Sequence, residues 1–65
     1  MITSNIRQIM ESKKITVRGM MESTGLANET ILRARGKQIA QCRLETLESI
    51  AKALDCKIKD LFDES

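Results

Sequence analysis

Apolar residues recur at helical spacing near the N-terminus of the chain. Neighbouring positions on this apolar face are three or four residues apart, as expected for one side of a helix. The positions are Ile2, Ile6, Ile9 and Met10. The pattern predicts a first helix over residues 3–13, with Thr3 or Ser4 placed to cap its N-terminus.

Two further helices are predicted close together in the middle of the chain. The second begins after Thr16, a good N-cap residue, and stops at Gly25, which can adopt the left-handed conformation that ends a helix. The third spans residues 28–35, and we expect Gly36 to end it in the same manner. Its buried side is predicted to consist of only Ile31 and Ala34.

The C-terminal part of the chain predicts two more helical segments after a polar connection over residues 37–43. The fourth helix, over residues 44–54, is indicated by Leu47, Ile50, Ala51 and Leu54. A last turn or two over residues 58–62 is indicated by Ile58, Leu61 and Phe62. Because no segment alternates with period two for more than a few residues, we expect an all-α, compact five-helix fold.

The composition fits one small folded domain covering residues 1–65. The chain is 42% hydrophobic and 31% charged, a globular balance. Charge is unevenly distributed: residues 1–43 hold eight basic and three acidic residues, whereas residues 44–65 hold three basic and six acidic residues. The basic N-terminal part indicates a polyanionic partner, although solvated charge on ordinary helix faces is the simpler alternative.

Several functions are disfavoured by the residues that are missing. The chain has no histidine, a single aromatic residue, Phe62, and two cysteines without a CxxC pairing. We therefore expect no enzyme, no metal site and no cofactor. Neither a signal-peptide pattern nor an apolar run of membrane-spanning length occurs, so we expect a cytoplasmic protein with no membrane partner. In that reducing compartment, packing is the expected role of Cys42 and Cys56, rather than a disulfide.

Residues 16–35 have the pattern of a helix-turn-helix. The second helix and the inner face of the third would lock together through Met20, Met21, Leu26 and Ile31. The opposite side of the third helix would then project, and such a helix fits the major groove of B-DNA. Asn28 can pair with adenine, Arg33 with guanine and Glu29 with the cytosine amino group.

The chain resembles the lambda-repressor and Cro-like helix-turn-helix family, often called the xenobiotic-response-element type. The C-terminal block is the most specific, because it is similar to the family's pattern LETLxxIAxALxxxxxxLF. The matching stretches are Ile15-Thr16, Thr24-Gly25-Leu26, Thr30-Ile31, Arg35-Gly36-Lys37, residues 44–56 and residues 58–62. The resemblance implies a five-helix DNA-binding domain that regulates transcription and dimerises on paired half-sites.

Position by position, the resemblance implies a set of DNA-contacting residues. The candidates for base reading in the third helix are Asn28, Glu29, Thr30, Leu32 and Arg33. The candidates for phosphate contact are Thr16, Arg18, Arg35, Lys37, Gln38 and Arg43. For the dimer interface, we expect Leu61 and Phe62 to leave apolar surface for a two-fold partner.

Three positions depart from the family pattern. Val17 stands where members often have a phosphate-binding glutamine, and Arg18 is our candidate substitute. Met21 replaces a favoured alanine where the two helices approach closely. Ala27 occupies the usual capping position of the third helix, so either the cap is lost or Asn28 provides it, which would remove Asn28 from base reading.

Together these features predict a sequence-specific regulator of double-stranded DNA, most simply a small repressor that occupies a promoter. Two alternatives remain open. One is an antitoxin-type regulator that also binds a toxin; the other is a protein-interaction module that has lost DNA binding. The alternative to DNA contact for Arg33 and Arg35 is a structural role, in which their positive charges offset the helix dipole at the C-terminal end of the third helix.

Overall fold

Most of the chain is helical in the computed structural model, which describes residues 1–64. The four α-helices are α1 (Ile6–Ser12), α2 (Val17–Thr24), α3 (Asn28–Arg35) and α4 (Leu44–Leu54). Two 3₁₀ helices (Lys37–Gln41 and Ile58–Leu61) and two strands, β1 (Ile2–Ser4) and β2 (Phe62–Glu64), complete the fold. The predicted second, third and fourth helices and the mostly helical fold are confirmed, whereas the predicted count of five helices is not: the described residues form four α-helices and a short pair of strands.

The N-terminal segment is a strand where the sequence predicts the start of a helix. β1 pairs with β2 in an antiparallel two-stranded sheet, with Thr3 opposite Asp63. Helix α1 therefore begins only at Ile6, and its N-cap residue, Asn5, makes no side-chain capping bond. The backbone N–H of Asn5 instead donates to the carbonyl of Leu61 at 2.8 Å. Neither Thr3 nor Ser4 is an N-cap, because pairing with β2 holds both in extended backbone.

The predicted fifth helix is a single 3₁₀ turn. The carboxylate of Asp60 accepts from the backbone N–H of Lys57 at 3.1 Å, which closes the start of the turn. After Leu61 the chain becomes extended, and Phe62 is the first residue of β2. The sheet thus replaces the last helical residue expected from the sequence.

A single buried cluster joins all four α-helices. Its members are Ile6, Met10, Met20, Ile31, Ala34, Ile39, Leu47, Ile50, Ala51, Leu54 and Leu61. Ile39 belongs to this cluster although it lies in the connection that was predicted to be polar. Leu61 is 0% exposed, so it has no surface to offer a second copy, and its expected role at a dimer interface is wrong. Phe62 is half-buried against the same cluster.

The turn between α2 and α3 has the predicted chemistry. The Thr16 hydroxyl accepts from the backbone N–H of Gly19 at 3.0 Å and so caps α2. Gly25 ends α2 with a φ of 76°, the left-handed conformation that glycine adopts without steric cost. Gly36 differs from the prediction, because it follows α3 in extended backbone with a φ of −108°. Of these two glycines, only Gly25 therefore has a backbone conformation that requires glycine.

Candidate nucleic-acid interface

Helix α3 has one buried side and one exposed side. Ile31 and Ala34 are both 0% exposed and fix the helix to the core, as the sequence predicts. The exposed residues of the helix are Asn28, Glu29, Leu32 and Arg33, and Thr30 is half-buried. The structure thus brings four of the five candidate base-reading residues to the surface, with Thr30 partly withdrawn.

The amide of Asn28 does not cap α3. Ala27 is the N-cap residue, and no side chain makes a capping hydrogen bond there. The Asn28 side chain has no hydrogen bond within residues 1–64, so both its donor and its acceptor can meet a base edge. Of the two alternatives raised by the sequence, the lost cap is the one that the structure supports.

A shallow depression lies at the centre of the exposed side of α3. It is lined by Glu29, Leu32, Arg33 and, from the following 3₁₀ helix, Gln38. Glu29 and Arg33 are one helical turn apart, yet no ion pair joins them among the described residues. Because neither charge is neutralised by the other, both side chains are open to an external partner.

Arg35 and Lys37 lie in a second hollow, beside strand β1. They flank Gly36, and the residues of β1 form the other wall. Arg35 is half-buried, whereas Lys37 is exposed, and neither forms an ion pair within the described part of the chain. Among the described residues, these two cations therefore adjoin the end of α3 without forming an ion pair.

The remaining phosphate candidates lie at helix N-termini. Thr16 caps α2 and Arg43 is the N-cap residue of α4. Such ends carry partial positive charge, which favours an anion. Arg18 is 3.9 Å from Glu22 (Nε to Oε1), but both side chains are largely exposed, at 90% and 75%. An exposed pair of this length contributes little, so it does not hold Arg18 away from a phosphate.

Ser4, one of the two residues predicted to cap the first helix, instead positions the end of α3. Its hydroxyl donates to the carbonyl of Ala34 at 2.7 Å and accepts from the backbone N–H of Ile6 at 3.3 Å. The carbonyl of Ala34 is near the end of α3, where carbonyls lack partners within the helix. Ser4 thus ties β1 to the end of α3, and the separation of 30 residues leaves no local signal for this contact.

The two thiols are free and half-buried. Burial raises the pKa of the Cys42 thiol above its ordinary value of 9.0, and the neighbouring Arg33 partly opposes this shift. Burial raises the pKa of Cys56 as well, with a further contribution from Asp60. Both thiols are therefore protonated at neutral pH, the unreactive form.

Neither a metal site nor a membrane span is present in the part of the chain that the structure describes. No group of three or more potential ligand side chains is arranged to hold a metal ion there. None of the helices among residues 1–64 has the length and apolar character needed to cross a membrane.

Comparison with known proteins agrees with this geometry. Residues 5–63 match the family of Cro/C1-type helix-turn-helix DNA-binding domains. The match covers nearly the whole chain, so the protein belongs to this family. Among curated proteins, none matches the chain. The resemblance noted from the sequence is therefore confirmed at the level of the family.

Proposed function

We propose that this domain binds double-stranded DNA sequence-specifically, with α3 in the major groove. The observation that carries the proposal is the exposed surface of α3, on which Asn28, Glu29 and Arg33 have no partner in the described chain. Arg33 is suited to guanine, Asn28 to adenine and Glu29 to cytosine. Leu32 is 49% exposed in the same depression, and there it would contact a thymine methyl group.

Phosphate contacts would surround this base-reading surface. The proposed contacts are Thr16, Arg18, Arg35, Lys37, Gln38 and Arg43. Four of them are cations, and each phosphate neutralised by a cation releases condensed counterions from the duplex. We expect the logarithm of the binding constant to fall with the logarithm of salt concentration with a slope of about −3.6 per domain.

In this proposal, the biological role is transcriptional regulation, with repression by promoter occupancy as the mechanism. Occupancy needs only an interface with DNA, and the exposed side of α3 supplies one. Two copies on paired half-sites would double the number of bases read, as in other helix-turn-helix proteins.

Selection of binding sites from a random duplex library, at physiological salt, tests sequence-specific binding. The expected result is an enriched motif that includes a guanine whose replacement weakens binding. Retention of duplexes without an enriched motif would refute base reading while leaving phosphate binding intact. No salt-sensitive retention of any duplex would overturn the proposal and favour the protein-interaction module.

A pair of lysine variants tests the phosphate contacts. Lys37→Ala should weaken binding to all duplexes alike and make the salt slope shallower by about 0.9. Lys52→Ala is the matched control, because Lys52 lies near the C-terminal end of α4, about 13 Å along the helix from Arg43. Equal effects of the two variants would show that Lys37 contributes only general charge.

A further inference from the structure

The hollow between strand β1 and the end of α3 is large enough to hold a small organic molecule. Its volume is about 490 Å³, within the range of about 300–1,000 Å³ that is typical of ligand pockets. One wall is formed by β1, and the opposite wall by Arg35, Gly36 and Lys37. The hydroxyl of Ser4 donates to the carbonyl of Ala34 at 2.7 Å, so the two walls are fixed to each other. A hollow whose walls are already held in place loses little conformational entropy when a ligand binds.

The surface of this hollow combines apolar character with positive charge. Met1 and Ile2 line it, and most of its surface is apolar. Arg35 and Lys37 contribute two cations, and neither forms an ion pair among residues 1–64. None of the described residues that line the hollow is acidic. An apolar surface beside two unpaired cations is complementary to a molecule that has both an apolar part and a negative charge.

The acidic residues of β2 do not occupy the hollow. Asp63 pairs with Thr3 across the two-stranded sheet, and its carboxylate accepts a hydrogen bond from the Asn5 side chain at 3.0 Å. Neither Asp63 nor Glu64 lines the hollow. The two cations therefore remain available to an anion from outside the domain.

We propose that this hollow binds a small molecule with an apolar tail and a carboxylate headgroup, such as an ionised medium-chain carboxylic acid, and that this ligand weakens DNA binding. In this complex the tail lies against Met1, Ile2 and the aliphatic stems of the two cations. The headgroup contacts Lys37 and Arg35, whose planar guanidinium can form two parallel hydrogen bonds with a carboxylate. A neutral apolar molecule leaves both cations unpaired, and a small ion leaves the apolar surface in contact with water.

The ligand competes with DNA because both use the same two cations. This competition rests on the proposed DNA-binding function, in which Arg35 and Lys37 contact phosphate. One bound carboxylate offsets one positive charge, so the salt slope of DNA binding becomes shallower by about 0.9. Affinity for DNA falls by about fivefold at physiological salt, and DNA weakens the binding of the ligand by the same factor.

A titration of the full chain with octanoate, followed by heteronuclear NMR, tests the site without DNA. We expect saturable shifts of the backbone amides of residues 2–4 and 35–37, with a Kd of about 1 mM for a ligand of about ten non-hydrogen atoms. Acetate lacks the tail and 1-octanol lacks the charge, so each should bind about tenfold more weakly than octanoate. Equal binding of acetate or 1-octanol, or shifts confined to other parts of the domain, would overturn the proposal.

Two charge variants separate a contact in the hollow from a general effect of charge. Lys37→Gln should weaken octanoate binding about threefold, because one exposed ion pair is lost. Arg18→Gln is the matched control, since Arg18 is an exposed cation on α2 that does not line the hollow. Both variants should weaken DNA binding, but Arg18→Gln should leave the affinity for octanoate unchanged. Equal losses of octanoate affinity in the two variants would show that the ligand responds only to net charge. Circular dichroism confirms that each variant is folded.

DNA binding in saturating octanoate tests the competition. With acetate as the matched salt at equal ionic strength, octanoate should weaken binding to the selected duplex about fivefold and make the salt slope shallower by about 0.9. Octanoate that binds in the hollow and leaves the affinity for the duplex unchanged would refute the competition. If no duplex binds at all, the DNA-binding function fails, whereas the NMR titration still decides whether the hollow is a ligand site.

Discussion

The hydroxyl of Ser4 should contribute measurably to stability, although Ser4 belongs to a strand of three residues. Ser4→Ala removes the donor to the Ala34 carbonyl at 2.7 Å and the acceptor for the Ile6 N–H at 3.3 Å. Ala34 is 0% exposed, so its carbonyl has little access to a replacement donor from solvent. The variant therefore leaves a buried acceptor without a partner.

The expected cost follows from this unsatisfied carbonyl. A buried polar group that loses its partner costs about 1–3 kcal/mol, more than the net value of an ordinary hydrogen bond. We expect the free energy of unfolding to fall by about 2 kcal/mol. For a domain of this size, that corresponds to a drop in Tm of roughly 8–16 °C.

Urea and thermal unfolding, followed by circular dichroism at the helix band, measure this cost directly. Ser4→Thr retains the hydroxyl and should recover most of the lost stability. Ser23→Ala is the control for a serine without such a contact, since Ser23 is exposed on α2, and it should change stability by less than about 0.5 kcal/mol. If Ser4→Ala costs no more than this control, water replaces the hydroxyl and the argument from burial is wrong.

Three further predictions follow from the structure. Gly25→Ala should destabilise by about 1 kcal/mol, because φ is 76° there, whereas Gly36→Ala should be nearly neutral in the same denaturation assay, because φ is −108°. Arg33→Ala should weaken binding to the selected DNA site by roughly 1–3 kcal/mol and relax the preference at one base pair, and Arg33→Lys should not restore that preference. Equal losses of binding free energy on every duplex would make Arg33 a phosphate contact. Burial raises the pKa of the Cys42 thiol, so the contribution of this thiol to stability is complete below its pKa in the unfolded chain and is lost as pH rises through its pKa in the folded protein. Alkylation of Cys42 at pH 8 should therefore be slower in the folded protein than in the protein unfolded in urea. Equal alkylation rates would contradict the raised pKa.

The apolar spacing was sufficient to predict the helix-turn-helix. In α2 and α3, the start at Thr16, the end at Gly25 and the buried pair Ile31 and Ala34 all depend on residues within one or two turns. Capping, left-handed glycine and helical periodicity are local interactions, and the sequence displays them directly. The exposed side of α3, which carries the proposed base contacts, follows from the same periodicity.

The two ends of the chain were not predictable in this way. Residues 2–4 and 62–64 form strands only because they pair with each other across nearly the whole sequence. Short segments of this kind carry no alternating pattern strong enough to indicate a strand. The same pairing places Asp63 and Glu64 beside β1, whose other neighbours include Arg35 and Lys37. The basic N-terminal part and the acidic C-terminal part of the sequence therefore do not form two separate faces of the folded domain.

The family, the helix-turn-helix and the outward-facing side of α3 could all be predicted from the sequence, because these features depend on local spacing and on residue types. In contrast, the burial of Leu61 and the contact between Ser4 and the end of α3 became visible only in the packed structure. Burial depends on which distant segments cover a residue. The apolar character of a leucine predicts that its side chain will be buried against other apolar residues. Only the packed chain shows whether those residues lie within the same molecule.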